Sequence, residues 1–197
     1  VYKRQLSNRR AGVWLQPGPL YFYCMADFDE LHRVIHSIAS GFEEECIRCM
    51  EEHKNVLVDC IQEQLYSGLD GTEHLLNPDY DTDTYFNEPG PWQNRAEQYK
   101  RWKERITPPL RSEMLYLPPR PVEVPNLFIT GTFYDSITAD RIDSGLRFST
   151  KGFTDGSSIE KKYGEQILGI GDTAKEYFNI MYLRPWMERF FSECGYR

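Results

Sequence analysis

Apolar positions recur at intervals of three and four from Phe28 onward: Leu31, Val34, Ile35, Ile38 and Phe42, then Cys46, Cys49, Met50, Val56, Leu57, Cys60, Ile61 and Leu65. That spacing predicts one long helix, or two nearly collinear ones, over residues 27–66. Asp27 is placed to cap its start, with Glu30 as the capping-box partner. Gly41 lies inside the pattern and marks an expected kink or break. Ser67-Gly68 supplies the stop. A single small sheet cannot bury so long a helix, so part of its apolar face calls for a neighbouring subunit.

Residues 68–90 read as loop, with Asp70-Gly71 and Asn77-Pro78 as turn signals. Helical spacing returns over 91–106, where Trp92, Ala96, Tyr99, Lys103 and Ile106 share a stripe. Lys103 is expected at the stripe edge, lying along its aliphatic stem. Pro108, Pro109, Pro118, Pro119, Pro121 and Pro125 then predict extended chain crossing the surface. Residues 125–137 are the pivot of the chain. Leu127, Phe128 and Ile129 are apolar, Thr130 can cap a turn, and Gly131 permits a sharp bend. Phe133 and Ile137 fall four apart and can both point inward. Alternation over 136–142, a turn at Asp143-Ser144-Gly145 and a partner run at 146–150 predict a hairpin. A short helix begins at Ser157 or Ser158 and ends near Tyr163. Gly169-Ile170-Gly171 breaks the chain before Asp172 caps a helix with Ala174, Tyr177, Phe178 and Met181 inside. Arg184-Pro185 is expected to open a further helix carrying Trp186, Met187, Phe190 and Phe191.

The expected fold class is therefore α+β: a long N-terminal helix packed on a small antiparallel sheet, with C-terminal helices and a Pro-rich insertion. Residues 25–197 are expected to form one domain, with the insertion at 68–124. Residues 1–24 contain Lys3, Arg4, Arg9 and Arg10 and no acid. They read as a non-native or disordered leader ahead of a start at Met25, and are expected to pack poorly.

Charge narrows the partners. The chain holds 23 Lys and Arg against 30 Asp and Glu, a net −7. Setting aside the four leader cations leaves 19 against 30, or −11. Either balance disfavours nonspecific grip on nucleic acid. Five cysteines without a small-scaffold spacing point to reduced thiols in a cytoplasm. No apolar run approaches the roughly 20 residues of a membrane span.

Three constellations carry possible chemistry. Cys46, Cys49, His53 and Cys60 share a helical face, but one straight helix offers a tetrahedral ion at most two or three of them. The alternative is a core stripe with cysteine as a small hydrophobe. Asp79, Asp81 and Asp83 resemble the opening of a calcium loop, yet Thr84 and Gly90 stand where Gly and Glu belong. Arg95, Tyr99, Lys100, Arg101, Trp102 and Lys103 interleave cations with aromatics, a pattern that contacts nucleic acid. Glu97 and Glu104 dilute it to something a solvated helix face also shows. No nucleophile, base and orienting group stand out together, so the chain is read as a non-enzyme without a cofactor.

Leu127, Thr130, Gly131, Phe133, Ser136 and Ile137 fit the "L-x-x-T-G-x-(L/F)-x-x-S-I" segment of small phage proteins that complete the tail or join it to the head. In that family a strand pair follows, then a Tyr-Gly or Phe-Gly element, then "R-P-(F/W)-(L/M)". Here those are residues 146–150, Tyr163-Gly164 and Arg184-Pro185-Trp186-Met187, in the same order. Residues 64–68 and 96–106 extend the resemblance to proteins of phage structural-gene cassettes in gut bacteria. The resemblance implies a structural virion protein assembled in the host cytoplasm. It would act through ring-type homo-oligomer interfaces and contacts with other virion proteins, with no membrane partner and with DNA only passing by. Heterologous contacts of such a ring would use the outer face of helix 27–66 and the hairpin 136–150. The alternative is a nucleic-acid-binding or regulatory module built on helix 92–106.

Overall fold

The structure, a computed structural model, describes residues 20–110 and 113–196. Helix α1 (Leu20–Glu52) is followed by α2 (Lys54–Tyr66) and, after a 3-10 turn at Thr84–Asn87, by α3 (Ala96–Ile106). A short α4 (Thr132–Ser136) leads into strands β1 (Ile137–Ile142) and β2 (Gly145–Thr150). The chain closes with α5 (Gly156–Tyr163), a 3-10 turn at Glu165–Leu168, α6 (Asp172–Phe178) and α7 (Arg184–Glu193). The fold is α+β, with the long helix against a two-stranded antiparallel sheet.

Hairpin register runs from Ile137 opposite Thr150 to Ile142 opposite Gly145, leaving Asp143-Ser144 as the two-residue connection. Two strands alone are marginal in water. This pair gains its support from the helices: β1 lies on α2 and β2 on α1. Ile137 and Ala139 point inward and are buried. Arg141 forks between Glu44 (2.7 Å) and Glu51 (2.8 Å), two acids seven residues apart on α1.

The long helix, or nearly collinear pair, expected over 27–66 is observed as the pair α1 and α2, with two differences. It begins earlier, at Leu20, so Asp27 lies inside the helix rather than at its cap. It bends at His53 (φ −106°, ψ 22°), not at Gly41. The bend occurs where the His53 ring packs against Tyr182 at 4.7 Å and near Trp186 and Phe178. Gly41 serves packing instead: a Cβ there would stand 3.0 Å from the Phe190 ring of α7. Residues 20–24 of the expected leader belong to α1, while 1–19 lie outside the described residues.

Arg184-Pro185 opens α7, with Pro185 in its first turn, and a π-helical turn at Asn179–Leu183 joins α7 to α6. A proline inside an α-helix lacks its own N–H and collides with the carbonyl four residues back. Widening the preceding turn by one residue removes that collision, so the helical run continues through Pro185.

Among the described residues, three packed clusters make up the core. The largest joins Ile61 and Leu65 of α2 to Leu76, Val124, Phe133, Tyr134, Ile137, Ile167 and Leu168. A second surrounds Cys49, Leu57 and Phe178, and a third Cys60, Leu115 and Ala174. Segment 68–124, expected as an insertion, supplies Leu76, Val124 and Leu115 to these clusters and is integral to the body.

Candidate functional site

The bend at 126–137 is built around Asn126, which is fully buried. Its Oδ1 accepts the Phe128 N–H at 3.1 Å, and its own carbonyl accepts the Tyr134 hydroxyl at 2.6 Å. Between them Leu127 is held at φ +54°, a region an L side chain enters only at a cost. Gly131 takes φ +89° and starts α4, while Thr130 bonds the Thr132 hydroxyl at 2.7 Å. Phe133, Ser136 and Ile137 are buried beyond it. The Thr-Gly motif is thus a strained corner stapled by a buried amide.

Lys103 enters the same corner from α3. It is 1% exposed and its Nζ donates to the Phe128 carbonyl. This corrects the expectation of a stripe-edge residue: the whole side chain is inside. Burial, followed by the nearby Arg120 cation, pulls its pKa down to about 7.

The proline-rich strap lies over this corner and over α2. Glu63, 2% exposed, accepts the Met114 and Leu115 N–H groups, both at 2.9 Å. Tyr66 donates to the Pro108 carbonyl at 2.7 Å. Arg120 donates to the carbonyls of Pro121, Val122 and Val124. Between strap and α2 run two adjoining clefts of about 560 and 330 Å³, sharing Glu63, Tyr66, Pro109 and Leu110. Thr130, Gly131 and Tyr134 line the smaller one. Several of the polar groups in these clefts are already spent on holding the strap.

Across the molecule, two loops interlock. A Cβ on Gly71 would fall 2.4 Å from the Gly169 backbone, so the strands of chain touch at glycines. Gln64, 1% exposed, fastens them: its amide donates to the Asp70 and Gly169 carbonyls and its oxygen accepts the Gly171 N–H at 2.9 Å.

The motif residues named from the sequence divide between two places. Leu127, Phe133, Ile137 and Tyr163 pack in or against the largest cluster, with Gly164 at φ +91° ending α5. Trp186 joins the second cluster, where its Nε1 donates to Glu45 at 3.0 Å; Arg184 and Pro185 are exposed. Their roles here are architectural.

The basic-aromatic residues do not form one face. Lys100 is paired with Asp81 (2.6 Å) and Glu97 (2.7 Å), and Lys103 is interior. Tyr99 and Trp102 sit in an aromatic cluster with Trp92, at centroid distances of 5.1–5.3 Å, and Tyr80 and Phe86 also pack on Tyr99. Arg95 and Arg101 alone of the six are exposed.

The acidic triplet also disperses. Asp79 accepts from the Asp81 and Thr82 N–H groups and the Thr82 hydroxyl, and these bonds, the hydroxyl's first, lower its pKa. Asp81 pairs with Lys100, and Asp83 caps Tyr85 and pairs with Lys162 at 2.5 Å. Cys46 faces Met187, while Cys49 and Cys60 lie in different clusters. Burial pushes the Cys49 and Cys60 thiols up to about 11 and about 12, the reverse of what a thiolate ligand needs. No group of three potential metal ligands converges among the described residues.

A bare helical face completes the picture. The α7 end of the molecule meets α1 at Val34, Ser37, Phe42 and Cys46, with Phe42 stacked on Phe191 and Ser37 near Cys194. On the same helix Phe28 (70% exposed), Leu31 (50%), Ile35 (57%) and Phe42 (46%) keep much of their surface uncovered. The sequence places Lys103 on the apolar stripe of its helix but gives no sign of the Glu63 clasp or the Gln64 clamp, polar residues on the buried side of α2. Among the described residues, no helix is long and apolar enough to cross a membrane. No protein-family model, curated protein or solved structure matches the chain.

Proposed function

We propose that the chain is a structural building block of a phage virion, acting in tail completion or head–tail joining through ring-type contacts between copies. The observation that carries this reading is the apolar stripe of α1, which continues past the body that should bury it. The family-like motif supports it too: its residues make a corner and a core, the equipment of a subunit held in shape for assembly. A net charge of −7 suits a ring wall past which DNA slides, because like charge opposes sticking.

The hairpin is a weaker interface than its sequence suggests. Its inner side is taken by α1 and α2, where Arg141 is paired with Glu44 and Glu51, and its outer side shows Asp140 and Arg147. The α1 face is therefore the principal contact in this reading. Native mass measurement of the protein, alone and with portal and tail partners from the same gene cluster, is expected to show multimers. A monomer under both conditions removes the proposal.

A further inference from the structure

The larger of the two clefts beside the strap, about 560 Å³, is lined by polar groups that the fold itself does not use. Its volume falls within the roughly 300–1,000 Å³ of small-molecule sites. Ser67 stands at the C-terminal end of α2 and is 7% exposed, yet its hydroxyl has no hydrogen-bond partner among the described residues. Every described side-chain oxygen or nitrogen sealed from solvent does have one, so this hydroxyl is reached from the cleft that Ser67 lines.

Two more groups on the same cleft have hydrogens to give. The Oδ1 of the fully buried Asn126 is taken by the Phe128 N–H, but its Nδ2 has only one long contact, 3.5 Å to the Thr107 hydroxyl. Arg120 reaches three strap carbonyls through a single nitrogen, Nη1, and its Nε and Nη2 have no partner among the described residues. Half-buried polar groups of this kind favour a ligand that completes their hydrogen bonds. At the rim stands Tyr116, 82% exposed and held at φ +51°. A strained backbone that holds an aromatic ring out over a cleft is typical of a ligand clamp.

Charge and polarity select the ligand. An anion meets Glu63, Glu113 and the negative end of the α2 dipole. A nucleotide brings a phosphate and meets the same opposition. A cation meets Arg120. A wholly apolar molecule leaves Ser67 and Asn126 unsatisfied. What remains is a neutral ring with several groups that donate and accept, as hydroxyls do, and a C–H face for tyrosine and proline walls. We propose that this cleft binds one sugar ring, with Ser67, Asn126 and Arg120 on its hydroxyls and Tyr116 over its face.

A heteronuclear chemical-shift titration of the full chain tests the site. The probes are D-glucose, D-galactose, D-mannose and N-acetyl-D-glucosamine, each as the free sugar and as the methyl β-glycoside that stands for a glycan end. At least one is expected to saturate with a Kd of about 1–10 mM, in keeping with so small a ligand, and to shift the Ser67, Tyr116 and Asn126 amides. Binding of either form supports the site, and preference for one names the source. Ser67→Ala is expected to weaken binding about fivefold to tenfold with an unchanged melting temperature, because the hydroxyl holds nothing in the fold. Tyr116→Gly removes the ring at a φ that glycine accepts, and is expected to weaken binding as much. Sodium acetate, methylammonium chloride and uridine are titrated alongside. The proposal is overturned if no sugar saturates below about 50 mM. It is overturned equally if both variants bind as wild type does, or if the shifts lie away from the cleft. Tighter binding there of acetate, methylammonium or uridine than of any sugar also overturns it.

Discussion

Lys103 places an amine where an ammonium ion is disfavoured, and this makes the stability of the fold depend on pH. The group titrates at about 7 when folded and near 10.5 when free in solvent. Between those values the unfolded chain holds one proton more than the folded chain, so stability rises with pH. One proton corresponds to about 1.4 kcal/mol per pH unit, so a gain of roughly 2–3 kcal/mol between pH 7 and 9 is the upper expectation. Above pH 9 the buried Cys49 and Cys60 thiols oppose it, since their unfolded counterparts ionise first. Urea titrations at pH 7, 8 and 9 are expected to show this slope in the wild type and its loss in Lys103→Met. An unchanged slope in the variant would remove Lys103 as its cause. Gly71 is a second sensitive point. Gly71→Ala drives a methyl into the Gly169 backbone, and a loss of about 3 kcal/mol or more is expected in the same titration.

At the scale of elements, the strap is held by side chains and not by a ladder of its own. Glu63 offers each carboxylate oxygen to one backbone N–H. Glu63→Gln replaces one acceptor by a donor that faces an N–H, at a cost of roughly 1–3 kcal/mol. Hydrogen exchange at Met114 and Leu115 is expected to speed up well before α2 loosens; equal protection in the variant would show the clasp to be dispensable. These elements also mark what the sequence makes legible. The hairpin, a turn within 143–145 and the inward Ile137 and Ala139 follow from alternation and turn chemistry, which are local; the pairing of Gly145 with Ile142, which shortens the connection to two residues, comes from the structure. The bend at His53 does not, because it answers aromatic rings more than a hundred residues away. Gly41 misled for the same reason: its lack of a side chain serves Phe190, a partner invisible in the local pattern. At Arg184-Pro185 the helix start was legible, while the change of pitch that joins α7 to α6 was not.

For the whole molecule, the α+β class and the surplus of apolar surface on α1 were legible, since both depend on periodicity summed over long stretches. The candidate site was legible only in its motif residues. Asn126, Glu63 and Gln64 hold it together through contacts with backbone atoms, which leave no pattern in side-chain type. The Gln64 clamp has a consequence for the order in which the protein is made. It joins Asp70 to Gly169 and Gly171, so the closing of the body requires residues from both halves of the chain. On the ribosome, α1 and α2 emerge long before the loop that locks them, and closing so large a ring of chain is entropically slow. The nascent protein must keep the greasy α1 in solution, unlatched, until Gly169 and Gly171 arrive, a task at which chaperones excel.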